Sequence, residues 1–440
     1  MIKKTIIALR LIAAAALIYP AQTDAIFSNW NIFVVNEPTS TPNPYAPYTF
    51  SLLEKIGQAM QILSLSPELG YREETAKIKT KKGVVKVTRR YREIALVILN
   101  RDSGEVFEKR YWLSESEMDE ADKLRKKYLD SKGLPNFVPN DSGEEYEVIV
   151  NWWNSHNSDL RIQKKGDIVQ DRYVVIANKY LKDNDALVYP EDKTGKKLSG
   201  IIYVPYSPLI HTAELVAAGL KFLNENTDTA FQSLRELGVK SHAYLDKLAV
   251  DTITPTFVKN IFLTEQSDPK LLLNSEDGGK MVAERVLVRL GSNGDKTFRY
   301  TFSKTGALGL GQIMPNTYSN PSRFASRRTG VAQIYPEAKL IPDRNIGRAD
   351  VVNGIKASVL VFDDHFSAVI AKANKKKSYR ELFAKLTLDE IDEIRAGIYN
   401  GGPSKYSAQK AAISTHINET NDFIAKFKKI RELHLFDPAP

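Results

Sequence analysis

Residues 303–318 read SKTGALGLGQIMPNTY, and the order of the glycines in this stretch decides which fold the chain is expected to take. Gly306, Gly309 and Gly311 fall within six positions, Gln312 follows at once, and Pro315 comes shortly after. Glycine inside an ordered element costs roughly 0.5–1 kcal/mol relative to alanine, so something must be gained by a close approach of backbone or ligand. A strand-like run, TFRYTF (297–302), precedes the segment, which is the setting of a nucleotide-binding loop. The spacing is G-x-x-G-x-G, however, the reverse of the dinucleotide fingerprint, and no Gly-Lys-Ser/Thr follows. A nucleotide fold is set aside, and the spacing leaves open whether another backbone or a ligand approaches where the side chains are missing.

Upstream, Thr254-Pro255 pairs a capping residue with proline at a first helical position, a strong helix start. In the helix that follows, Phe257, Ile261 and Glu265 recur every fourth residue and so share one face. The first two positions should point to a core and the third is a carboxyl near the helix end. Partial desolvation and the negative end of the helix dipole both disfavour its charge and raise its pKa. A proton donor working near neutral pH needs that shift. The same pattern also suits a boundary glutamate paired with a lysine. Asp268 is expected at the helix end as a cap.

Taken together, EQSD, SKTGALGLGQIMPNTY and GIYNGGPSKY resemble the soluble lytic transglycosylases, whose catalytic domain is similar to goose-type lysozyme. That family shows Glu-Ser, then Ser-x-x-Gly-Ala-x-Gly-Leu-Met-Gln-x-x-Pro, then Ala-Tyr-Asn-Ala-Gly. Ser303, Gly306, Ala307, Gly309, Leu310, Gln312 and Pro315 match the second block in register; Tyr399, Asn400 and Gly402 match the third. Asp343, Asn345 and Ile346 resemble the segment between them. The likeness covers about residues 250–410.

The resemblance implies that Glu265 is the catalytic acid and base, and that Ser303, Gly309, Gln312, Tyr399 and Asn400 contact the substrate, the glycan of bacterial peptidoglycan. Cleavage of the bond between N-acetylmuramic acid and N-acetylglucosamine would leave 1,6-anhydro ends, with no cofactor and no metal. Ordinary glycosidases need two carboxylates; here the substrate's acetamido group would take the place of the second. A muramidase on the same scaffold, and a non-catalytic wall-binding scaffold, are the alternatives. The chain departs from the family at Gln266, where serine is usual, and at Gly311, where methionine is usual, which is expected to widen the cleft floor. It also has a longer span between Glu265 and Ser303. Two alternating runs around GSNGD predict an inserted β-hairpin over about 278–302, beside the cleft.

The chain has 440 residues with a net charge of +9 and no cysteine, so it can bury a sizeable core but has no disulfide framework or thiol chemistry. Residues 1–25 have a basic start, a short apolar run and a small-residue cleavage site, which read as a secretory signal, with an uncleaved anchor as the alternative. Export to the periplasm or cell envelope of a bacterium is expected. A basic exported protein meets anionic wall polymer or a membrane surface more readily than nucleic acid, and peripheral membrane association stays open. His156, His211, His242, His365, His416 and His434 show no ligand spacing, so no metal is assigned.

The fold class expected is α+β. Residues 26–48 form a Pro-rich arm and 49–207 an α+β domain of unknown role, which can meet an envelope protein partner. Residues 208–440 form the mainly helical, lysozyme-like domain. A helix is expected at 49–65, a charged helix at 114–131, and strands at 145–153, 173–178 and 200–205. A hairpin is expected around RDSG (101–104). HTAELVAAGLKFLNEN and DTAFQSLRELG are read as amphipathic helical runs. The basic run from Lys77 to Arg92 can bind a polyanion or simply face solvent, and Trp152-Trp153 can stack on sugars or fill a core.

Overall fold

The structure, a computed structural model, describes residues 48–80, 83–114, 145–152, 155–183, 198–300, 302–303, 305–320, 329–414 and 418–437. The expected signal, all but the last residue of the Pro-rich arm, all but the first residue of the 114–131 helix, and Trp153 lie outside these. The architecture is α+β, and residues 43–440 form one unit.

The run IALVIL (Ile94–Leu99) is apolar throughout and buried throughout. Strand geometry sends successive side chains to opposite faces. Ala95, Val97 and Leu99 therefore meet Leu52, Ile56, Ala59 and Leu63 of helix α1 (Leu52–Leu65). Ile94, Leu96 and Ile98 meet Tyr111, Leu113, Val148, Leu160 and Ile162 on the other face. The strand carrying this run, β2 (Gly83–Asn100), is the spine of a seven-stranded antiparallel sheet. Its companions are β1 (Tyr71–Thr80), β3 (Val106–Ser114), β4 (Tyr146–Trp152), β5 (Asp159–Lys164), β6 (Tyr173–Asp183) and β7 (Leu198–Tyr203). The order is β1-β2-β6-β5-β4, with β3 also on β2 and β7 also on β6. The hairpin expected around RDSG is β2–β3, turning at Gly104 with φ +72°.

Helix α2 (Ala213–Glu236) is one continuous helix across both amphipathic runs, capped by Thr212 and closed before Gly238, whose φ is +63°. Its first-turn Glu214 accepts from Ser51 Oγ (2.5 Å) and Leu52 N (2.9 Å), so it satisfies free N–H groups at the start of α1. Helix α3 (Pro255–Gln266) starts at the expected cap, where Thr254 accepts from the Phe257 amide, and α4 (Pro269–Leu273) follows with Asp268 as its cap.

The expected hairpin at 278–302 is absent. Lys280–Asn293 is helix α5, and the described residues of TFRYTF form no strand: 297–300 are in turns and Phe302 makes a single bridge. Ala283, Val286, Leu287 and Leu290 recur at helical spacing and are buried in the helical core, while Val288 reaches the core of the sheet. Crossing contacts with α2 decide the matter. A Cβ on Gly219 would lie 2.0 Å from the Leu287 carbonyl oxygen, and one on Gly291 would lie 2.3 Å from that of Leu215. Two glycines thus let the helix backbones touch. Asn293 then clamps β7's exit, accepting from Val204 N (2.7 Å) and donating to Val204 O (3.0 Å). This segment joins the two cores rather than decorating a cleft.

The chain continues through the short helices α6 (Pro315–Tyr318), α7 (Val331–Ile334) and α8 (Arg344–Ala349). Then come α9 (Val351–Ala373), α10 (Lys377–Phe383), α11 (Leu388–Gly401), the small β8–β9 pair (Tyr406–Ser407, Ala412–Ile413) and α12 (Asn418–Arg431). A capping box, Thr387 with Glu390, starts α11. Phe257, Ile261 and Phe262 of α3 pack against Ile355, Leu360 and Phe362 of α9 and Phe427 of α12.

Candidate active site

Helix α3 is buried on all sides from Phe257 to Thr264, and Glu265 and Gln266 are its first residues beyond that stretch to be half-buried. The carboxyl therefore leaves the core at its rim. Loss of hydration pushes the Glu265 pKa up to about 8. The Lys426 ammonium opposes this rise, and the Glu419 carboxylate adds to it. Both come from α12, where Phe423, Lys426, Phe427 and Ile430 are buried on one face. Lys426 is 5% exposed, donates from Nζ to the Ser267 carbonyl (2.8 Å), and has its own pKa lowered by burial. A lysine whose charge acts on Glu265 is thus present, bonded to the Ser267 carbonyl, and it opposes the rise in the carboxyl's pKa without cancelling it.

The glycine-rich segment is tied to this helix end by its carbonyl groups. Gln266 Nε2 donates to Leu310 O (2.9 Å) and Gly309 O (3.1 Å). The Tyr399 hydroxyl donates to Gly311 O at 2.5 Å and lies 3.4 Å from Ser358 Oγ. Burial raises the Tyr399 pKa, and the Glu265 charge raises it further, so the phenol stays neutral beside the acid. Its ring lies against Phe362, with centroids 4.5 Å apart. Asn400 follows half-buried on the last turn of α11.

The glycines do not open the expected space. A Cβ on Gly309 would stand 1.9 Å from the Arg348 carbonyl oxygen, and one on Gly311 would stand 2.4 Å from Ser358 Oγ and 3.0 Å from the Tyr399 hydroxyl. Both residues are buried. Protein atoms fill the room that the sequence reading gave to a ligand. Gly309 is therefore a packing residue and Gly311 a tight one, not a widened cleft floor.

Ser303 and Gln312 have side chains engaged within the loop. Ser303 Oγ accepts from Ala307 N (2.8 Å) and lies 3.1 Å from Thr305 Oγ1; Gln312 Nε2 donates to Gly309 O (2.9 Å). A hydroxyl that accepts can still donate, and an amide that donates through nitrogen still has an acceptor oxygen. Gln312 sits at φ +48°, a left-handed conformation that costs a non-glycine residue free energy and clusters at functional sites. Beneath the loop lies Arg348, 2% exposed, whose guanidinium donates to Gly306 O (2.6 Å), Ile313 O (2.8 Å) and Asn345 Oδ1 (2.9 Å). Burial lowers its pKa to about 10. Asp343 caps α8 by accepting from Asn345 N and Ile346 N, so this segment supports the loop from below.

Sequence reasoning missed Lys426, Arg348 and Ser358. Lys426 left a trace, since it lies three residues after Phe423 and one before Phe427 on the apolar face. Arg348 and Ser358 left none. A separate cavity of about 430 Å³, lined by Thr256, Asn260, Arg431, His434 and Phe436 among others, lies toward the other end of α3 and does not include Glu265. Compared with family models, with curated proteins and with solved structures, the chain finds no match.

Proposed function

We propose that the protein is a lytic transglycosylase of peptidoglycan, with a lysozyme-like helical domain and Glu265 as its one acid and base. The observation that carries this reading is a carboxyl whose pKa is raised to about 8, at the rim of a buried helix and joined through Gln266 to the glycine-rich segment. At neutral pH such a group holds a proton ready to give, as a general acid must.

The neutral Glu265 protonates the glycosidic oxygen, and the C1–O bond breaks. The substrate's acetamido oxygen supports the positive charge at C1. Glu265, now a carboxylate, takes the proton of the C6 hydroxyl as O6 bonds to C1. Each proton transfer of this kind is worth about 10²–10⁴-fold. Tyr399, a neutral phenol that feels the Glu265 charge, is the hydroxyl proposed to face the sugar near the acid. Ser303, Gln312 and Asn400 are the polar groups of the matching blocks available to sugar hydroxyl and acetamido groups.

The ends of the products test the reaction type. Purified sacculi digested with the protein should release anhydro-muropeptides that resist borohydride. Reducible muramic acid ends would instead make the protein a hydrolase, and binding without products would make it a wall-binding scaffold.

A further inference from the structure

The β1–β2 hairpin runs on past the rest of the sheet. β3 and β6 join β2 from Tyr91 and Ile94 onward, and among the described residues Gly83–Arg90 have β1 alone as a strand partner. At about 3.3 Å per residue this leaves an arm roughly 25 Å long.

Register sorts its residues into two faces. Lys77 stands opposite Lys86, with Val84 on the same face and Val85 on the other. Val84 is 64% exposed and Val85 48%, and Lys77 and Lys86 are exposed as well. Residues 71–92 carry nine Lys or Arg and two Glu. Both acids are at the root, where Glu73 pairs with Arg90 (3.2 Å) and Glu74 with Arg72 (3.4 Å). Residues 75–88 contain five lysines and no acid.

A second copy of so cationic an arm would be repelled from it, since lysines on a strand edge deter pairing. A polyanion in water would satisfy the lysines and leave the valines wet. An anionic bilayer surface rewards both faces: lysines gain from the headgroup charge, and branched apolar side chains enter the boundary below it. We infer that the β1–β2 arm docks the protein on anionic phospholipid. This is independent of any role for Glu265.

The chain has no cysteine, so Val85→Cys in the full-length protein can carry a polarity-sensitive dye at one place. With vesicles of phosphatidylglycerol and phosphatidylcholine in equal parts, the dye should move to an apolar environment. With phosphatidylcholine alone it should stay in water. The double variant Lys77→Gln/Lys86→Gln should weaken binding to the anionic vesicles roughly tenfold or more. Val85→Ser should weaken it as well, and neither variant should change the thermal transition. A dye that stays wet while the protein binds, or unchanged affinity in the lysine variant, overturns the inference. Unchanged affinity in Val85→Ser also overturns it, by making the arm a polyanion patch.

Discussion

The side-chain amide of Gln266 reaches 2.9 Å to the carbonyl oxygen of Leu310, so the residue after the candidate acid holds the glycine-rich segment against the end of its helix. Gly309 O keeps two bonds from Gln312 if that amide is removed, whereas Leu310 O loses a close one. Gln266→Ala should therefore cost about 1–2 kcal/mol in urea unfolding and reduce turnover of sacculi in a protein that still folds. Serine, the residue that the lytic transglycosylases resembled by this segment carry at that place, is too short to span the gap and should behave like alanine. Wild-type turnover in either variant would make the contact incidental.

Glu265 holds its proton up to about pH 8 in the folded chain and releases it near 4.5 when unfolded. The folded state thus binds the extra proton between those values, and its stability falls as pH rises through that window. Glu265→Gln cannot ionise. It should match the wild type near pH 4 and become the more stable of the two by pH 9, by a few kcal/mol at most, at about 1.4 kcal/mol per pKa unit. Partial exposure of the carboxyl reduces the difference. Melting temperatures at the two pH values check this; a gap that does not grow with pH contradicts it.

Lys426 and Glu419 act on the acid with opposite signs. Removing the ammonium in Lys426→Met should move the alkaline limb of the pH–rate profile upward, while Glu419→Gln should move it downward. Lys426→Met should also cost stability, since the Ser267 carbonyl loses its 2.8 Å bond. Shifts of the same sign in both variants would contradict the electrostatic assignment.

Gly291 and Gly219 let α2 and α5 meet backbone to backbone. Gly291→Ala has only backbone and Ala218 Cβ to push against, so it should destabilise by about 1–3 kcal/mol or more. Deleting 278–300 should abolish folding, because that segment contributes to both the sheet core and the helical core. A deletion that still folds would contradict this joining role.

These residues also mark where the sequence was legible and where it was not. Thr254-Pro255 announces α3 because its signal is local, and the RDSG turn between two β-rich runs announces the β2–β3 hairpin. VLVRL in α5 is ambiguous: Val286, Val288 and Leu290 alternate like a strand, while Ala283, Val286, Leu287 and Leu290 recur like a helix. The deciding contacts lie on α2, far away in sequence. Glycines 309 and 311 were visible as close-approach positions, but what approaches is the carbonyl of Arg348 in one case and Ser358 with Tyr399 in the other. Spacing alone does not tell protein from ligand. Glu265 was legible as a desolvated carboxyl from its helical face, whereas the Lys426 charge acts on it from a helix no local pattern connects to it.

The proposed reaction rests on a proton held at Glu265, and the most direct measurement compares wild-type protein with Glu265→Gln on purified sacculi, with products read by mass. Anhydro-muropeptides from the wild type, and their loss by several orders of magnitude in a variant that still folds and binds sacculi, is the predicted result. The same product yield from both proteins would contradict it.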